Sequence, residues 1–368
     1  MNIKGEIKSV CEDFEVEEVP AYEPSGEGEH LYVWVEKRDA SAKFALRQLS
    51  RALGVRDSEI GQAGNKDRRA VTRQYYSVPV HQIDEAHRDT LLSGSPLEVS
   101  PQLHILSAKR HGNKLRRGHL SGNRFTIKVR NLSWEGDAQA LHKELGARIA
   151  RLEKQWLPNF YGEQRFGQED STVELGLAML RDEAWAKKKL KRDRFLKRLA
   201  LNAVQSRMFN LVLEARLERV DEQGELDVLQ GDVMELVERG GLFVVEDVPT
   251  EQARLHAREI MITGPMFGPK MYAPQGAAQE FEATVLREKC GLGPDVFEAY
   301  SKICSGTRRP LKVDVADLRW EMDSENDVTL SFFLSSGSYA TVVLEHLFDE
   351  LIVHDAMTSA DDSQGESQ

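Results

Sequence analysis

Cysteine is scarce in this chain: three in 368 residues, at Cys11, Cys290 and Cys304. Widely spaced and without a CxxC pair, they form neither a disulfide framework nor a zinc motif. Long apolar runs are missing too. The longest, Leu31 to Val35, has five residues, whereas a membrane helix needs roughly 20, so no span is expected. The opening residues, Met1 to Glu6, hold no apolar stretch, and no signal peptide is expected. Glycine and proline number 27 and 12, too few for a collagen-like or low-complexity chain. GxxxxGK[ST], HExxH and GxSxG do not occur, and Gly291-Leu292-Gly293 runs into Pro294 instead of completing a dinucleotide fingerprint. The ten histidines lack metal-ligand spacing. These absences predict a soluble, cytoplasmic protein and disfavour a metal site.

With 40% hydrophobic and 30% charged residues, a chain of this length can build two domains, or one domain carrying an insertion. Net charge is −11, but the acid is concentrated: residues 12–29 hold eight acids and no base, and residues 345–368 hold seven acids and no base. Setting those fifteen acids aside turns −11 into +4. Two basic stretches then stand out. Residues 104–130 carry eight Lys/Arg and no acid, and residues 181–198 carry nine against three acids. A polyanion responds to the field within about 8–10 Å, not to net charge. The runs therefore admit a phosphate-binding face, although such runs are also ordinary solvated surface.

Phe14 and Val16 alternate with Glu15 and Glu17, and Leu31, Val33 and Val35 share a face. With the turn cluster at 24–28 between them, these two stretches predict a β-hairpin. Ser41 suits an N-cap, Phe44, Ala45, Leu49 and Leu53 recur at helical spacing, and Gly54 suits the stop. Residues 61–69 read as a loop before a strand over 70–78. Phe125, Ile127 and Val129 predict another strand, and Leu141, Leu145, Ile149 and Leu152 one helix face. The aperiodic stretch 156–168 marks a domain junction. Residues 171–220 read as helical, with Phe195, Leu199, Ala203, Phe209, Leu213 and Leu217 as core candidates. Val328 to Leu334 alternate as a strand, followed by a helix near 339–351.

Two elements could carry chemistry. Asp67 lies among Lys66, Arg68 and Arg69. Nearby cations keep a carboxylate ionised, and an ionised carboxylate can be a nucleophile; a locally paired turn residue would look the same. Asn123 and Phe125 open a strand inside the basic run 104–130. An amide and a ring suit an unstacked base; a turn Asn and a core Phe fit equally.

Taken together, the motifs resemble the TruD family of tRNA pseudouridine synthases. They are Lys8-Ser9-Val10-Cys11-Glu12-Asp13-Phe14-Glu15-Val16, Pro24 to His30, Gly64-Asn65-Lys66-Asp67-Arg68-Arg69-Ala70-Val71-Thr72-Arg73-Gln74, Leu115 to Phe125, Pro158 to Gly167, and Leu334 to Thr341. Six motifs in order, over most of the chain, are far more specific than any one of them. The resemblance implies an isomerase (intramolecular transferase) that turns a uridine of tRNA, at position 13, into pseudouridine without a cofactor. It implies an α/β (α+β) fold, with a catalytic domain on a bent, mostly antiparallel sheet and an inserted, mainly helical TRUD domain. The expected limits are 1–158 with 305–354 for the catalytic domain, 159–304 for the insertion, and 355–368 for a disordered acidic tail. Asp67 would be the essential carboxylate, Phe14, Asn123, Phe125 and Tyr339 would line the uridine pocket, and Lys8 would be the cation near the carboxylate. The partner would be tRNA, with no membrane and no obligate protein partner. Two departures are visible: Tyr339 stands where the family commonly has Phe, and Asn159-Phe160-Tyr161-Gly162 exchanges the family's two aromatics. The competing expectations are a tRNA-binding or tRNA-folding protein without catalysis, and the same chemistry on another RNA.

Overall fold

The computed structural model describes residues 1–354 apart from 163, 164, 168, 169, 192, 238 and 239. The acidic segment 355–368, expected to be disordered, lies outside the described residues, as do Glu163 and Gln164 of the motif at the domain junction. The chain divides into two compact units, Met1–Gln155 with the segment from Asp314 onward, and Trp156–Val313.

The first unit is built on one sheet. Its strands are β1 (Ile3–Ile7), β2 (Phe14–Pro20), β3 (His30–Arg38), β4 (Gly61–Gln62), β5 (Val71–Pro79), β6 (Leu97–Ser100), β7 (Leu103–His111) and β8 (Leu120–Trp134), joined after the insertion by β15 (Ala316–Met322), β16 (Val328–Ser335) and β17 (Glu350–Val353). The order is β15-β16-β8-β2-β5-β3-β7-β6, with β1 between β8 and β17 and β4 on β5. Every pairing in this sheet is antiparallel except β2–β5 and β1–β17. The expected hairpin between β2 and β3 is therefore wrong. β5 lies between them, parallel to β2 and antiparallel to β3, because alternation fixes which face a strand buries, not its neighbour.

Helix α1 (Ala42–Leu53) follows β3 as its sequence signals require. The Ser41 side chain accepts from the Phe44 amide at 3.1 Å, and Gly54 closes the helix at φ 66°. Ala45, Leu49 and Leu53 pack on Leu31, Val33 and Val35 of β3 and on Leu103 and Ile105 of β7. Each buried leucine stabilises that seating by about 1.5–3 kcal/mol. Helices α2 (Glu85–Leu92), α3 (Ala138–Lys154) and α9 (Ala340–Leu347) complete the unit. α9 is shorter than the expected 339–351: the chain turns at Phe348, and Glu350–Val353 pairs with β1 instead.

The inserted unit contains the helices α4 (Ser171–Leu180), α5 (Ala184–Leu190), α6 (Arg194–Leu217), α7 (Val248–His256) and α8 (Gly276–Cys290). A small sheet of β10 (Val233–Leu236), β11 (Leu242–Val244), β12 (Ile260–Met266) and β13 (Thr307–Pro310) accompanies them, with a two-strand ladder of β9 (Leu157–Pro158) and β14 (Lys312–Val313). Because β13 pairs with β12, the insertion runs on past 304 before the chain returns. α6 is the spine. One side, with Ala200, Val204 and Met208, packs on α4 and α8, while Phe209 and Leu213 face the small sheet. Two buried ion pairs hold the helices in place, Arg308 of β13 with Glu282 of α8 at 2.7 Å and Arg216 of α6 with Asp232, just before β10, at 3.0 Å. Phe195 and Leu199, expected in the core, are exposed instead. They belong to the first two turns of α6, ahead of Ala200, where packing on α4 and α8 takes hold. Among the described residues, no helix is long and apolar enough to cross a membrane.

Candidate active site

The site grows out of the register of five strands. Lys37 of β3 lies opposite Thr72 of β5, Thr72 opposite Val16 of β2, Val16 opposite Phe125 of β8, and Phe125 opposite Phe332 of β16. Residues paired this way point to one face. One step along, Glu18 faces Asn123, and Asn123 faces Leu334. The face thus runs from buried apolar rings to a buried lysine and glutamate.

The loop from Gly64 to Ala70, between β4 and β5, carries Asp67. Its backbone is anchored at several points. Gln74 Nε2 donates to the Gly64 carbonyl at 3.0 Å, and Lys37 Nζ donates to the Asp67 carbonyl. Arg69 donates to the carbonyls of Lys8 and Ser9 at 2.8 and 2.6 Å. Lys66 turns inward and pairs with Glu18 at 2.8 Å, both side chains buried. Asp67 itself is exposed. So the backbone of the loop is held while the carboxylate remains open to solvent.

Three of the other predicted residues touch one another. Lys8, in a left-handed conformation at φ 60°, places its ammonium 4.4 Å from the Phe14 ring centre. Phe14 meets Phe125 edge-to-face at 6.2 Å, and Phe125 stacks on Phe332 at 5.5 Å. Asn123 lies two residues before Phe125, opposite Glu18. Glu18 leads back through Lys66 to Asp67. Phe14 and Phe125 are only 3% and 6% exposed, so they form a wall rather than an open platform. Tyr339 is half-buried at the start of α9, five residues beyond Leu334.

Buried polar atoms collect here. Asn123 Oδ1, Gln74 Oε1 and Thr72 Oγ1 have no hydrogen-bond partner among the described residues. Buried polar groups are nearly always paired in folded proteins; these three lie on β8 and β5, on the sheet face that Glu18 and Lys37 share. Burial pushes the Glu18 carboxyl up, against the opposing pull of Lys66 and of the Tyr75 amide. Burial pushes Lys37 down to about 8, while Asp67 and Asp39 pull it up and Lys66 adds to the downward push. No group of three His, Cys, Asp or Glu among the described residues could hold a metal ion.

Sequence reasoning placed Asp67 among Lys66, Arg68 and Arg69. The structure spends Lys66 on Glu18 and Arg69 on backbone carbonyls, and brings up Lys37 from 30 residues away. Lys37 and Glu18 were missed, although parity could have found them. Lys37 continues the Leu31, Val33, Val35 face, and Glu18 continues Phe14 and Val16.

Gly122, beside Asn123, permits the close approach of β8 and β16. A Cβ there would sit 2.1 Å from the Leu334 carbonyl oxygen and 2.6 Å from the Phe333 ring. Gly122→Ala is expected to cost about 1–3 kcal/mol of overpacking and to disturb Asn123. A lowered urea midpoint at unchanged slope would show it.

Comparison with known proteins gives the family. The family model for tRNA pseudouridine synthase D (TruD) matches residues 1–188 and 184–347. The chain is 40% identical over 347 residues to tRNA pseudouridine synthase D of Anaeromyxobacter dehalogenans (strain 2CP-C), covering 93% of this chain and 92% of the relative. It is 38% identical over 367 residues to tRNA pseudouridine synthase D of Thermus thermophilus, covering 99% and 94%. A crystal structure from Methanosarcina mazei, described as a putative tRNA pseudouridine synthase D (TruD), superposes with a TM-score of 0.67 at 24% identity, covering 95% and 94% of the two chains, and supports the α+β fold. The chain is therefore an isomerase of the pseudouridine synthase class. Within that class, it belongs to the tRNA pseudouridine synthase D (TruD) family.

Proposed function

We propose that this protein isomerises a uridine of tRNA, at position 13, to pseudouridine in the cytoplasm, with Asp67 as the essential carboxylate. In the reaction the N1–C1′ bond breaks, the uracil turns, and a C5–C1′ bond forms. C5 loses its hydrogen to solvent and N1 gains a proton, so atoms balance without a cofactor. The observation that carries this reading is the pairing of an exposed Asp67 carboxylate with a rigidly anchored loop backbone. Three routes are open to that carboxylate: attack on C1′, attack on C6, or proton abstraction leading to a glycal. Each needs it exposed and fixed.

A uridine inside folded tRNA must be extruded, at a cost of a few kcal/mol. Contact with aromatic rings, worth about 1–3 kcal/mol per base, offsets part of it. We assign the wall of the pocket to Phe14 and Phe125, and a further ring to Tyr339. Asn123 Oδ1, a buried acceptor lacking a partner among the described residues, suits the uracil N3–H. The Lys8 ammonium stands over Phe14 as the cation of the pocket.

Transcribed tRNA carrying 5-³H-uridine tests the reading. Tritium release in EDTA, mapped to position 13, is the expected result. Binding without release would favour a tRNA-binding protein lacking catalysis, and release only from other RNA would reassign the substrate.

A further inference from the structure

The basic stretch 181–198 lies wholly within the inserted unit. It carries apolar side chains that the fold leaves in water: Phe195 is 77% exposed and Trp185 50%, and Leu199, just beyond the stretch, is exposed as well. Isolated exposed apolar residues are ordinary, but these are not isolated. On α6, Phe195 has Arg198 and Leu199 three and four positions on; on α5, Trp185 has Lys188 and Lys189 at the same spacing. Residues so spaced are neighbours on a helix surface. Each ring therefore stands beside cations, and α5 ends at Leu190 just before α6 begins at Arg194. Lys188, Lys189, Lys191 and Asp193 line an open concavity of about 520 Å³ there.

The charge of this corner is uncompensated. Lys187 pairs with Asp182 at 2.6 Å, but Lys188, Lys189, Lys191, Arg194 and Arg198 make no ion pair among the described residues. Asp193, the acid within the patch, accepts from the Leu196 amide at 2.8 Å as the cap of α6. In the other basic run Arg124, Lys128 and Arg130 pair with Asp317, Asp323 and Asp13, while Lys109, Arg110, Lys114, Arg116 and Arg117 make no ion pair among the described residues but have no comparable exposed ring three or four positions along a helix. Unpaired cations interleaved with exposed rings match a chain of phosphates bearing unstacked bases. An apolar partner would leave the cations unanswered.

We propose that the α5–α6 corner is a second docking surface for the substrate tRNA, separate from the uridine pocket. Its cations hold phosphates, and Phe195 takes the face of an unpaired base. This rests on the function proposed above. The test compares wild type with Phe195→Ala and with the triple variant Lys188→Ala/Lys189→Ala/Arg198→Ala. These side chains are exposed, so both variants should keep the wild-type melting curve. The Kd for tRNA is measured across a salt series, and the single-turnover rate at saturating tRNA. Phe195→Ala should raise Kd roughly 10-fold. The triple variant should flatten the slope of log K against log salt by about 2, at about 0.7 per lost phosphate contact. Both should keep the saturated rate, because the variants change residues assigned to holding tRNA and none assigned to the reaction. Tritium release by wild type, with Kd and slope unchanged in both variants, overturns the docking surface and leaves the function standing. Neither release nor tRNA binding by wild type overturns both.

Discussion

Asp67→Asn is expected to abolish tritium release, lowering the single-turnover rate by about 10³-fold or more, the scale for loss of a catalytic group. The same variant should keep its affinity for tRNA within a few-fold and its melting behaviour unchanged. The carboxylate is exposed, and the Lys37 bond reaches the backbone carbonyl of residue 67, which asparagine retains. Lost release with intact binding is thus specific to chemistry. Retained release would remove Asp67 from the mechanism and favour another group of the same face, with Glu18 the next to test.

The second large effect should come from Lys37→Met. Lys37 is 1% exposed and touches the loop through the carbonyl of Asp67. It is a positioning residue, and a displacement near 1 Å at a reacting group costs about 100-fold. A purely structural role would give the same loss at every pH, so the pH profile separates the two. Burial holds Lys37 at about 8. Below that pH the ammonium makes a charge-assisted bond to the loop; above it the charge goes and the bond weakens. The wild-type rate should fall as pH rises through about 8, and the methionine variant should be slow without that limb. Stability moves the other way. The folded state loses this proton near pH 8 and the unfolded chain at about 10.4, so the unfolded state holds more protons between them. The contribution of Lys37 to stability therefore rises with pH across that window. Parallel pH profiles for wild type and the methionine variant would refute the positioning role.

How much of this was legible in the sequence depended on how local the cause was. Ser41 and Gly54 cap α1 because capping is decided within about four residues at each end. Phe125, Ile127 and Val129 share a buried face because alternation is a property of the strand itself. The partners of β2 and β3 were not legible, since β5 comes between them only through contacts tens of residues apart. Parity places Lys37 on the buried face of β3, but its link to Asp67 exists only once β3 lies beside β5. Phe195 and Leu199 were misread because helical periodicity begins at the very start of α6, whereas the packing that buries it begins only near Ala200.

The division of the first unit by the second bears on how the protein is made. β16, which seats beside Asn123 and Phe125, and β17, which pairs with the first strand, lie beyond the whole inserted unit. On the ribosome the inserted unit is complete before either emerges. Domains fold largely as they are synthesised, so the insertion can become ordered while β8 still waits with one edge unpaired, a state prone to association with other chains. The sheet face that carries Asn123 and Phe125 would then take shape after the inserted unit, closed by strands translated later than it.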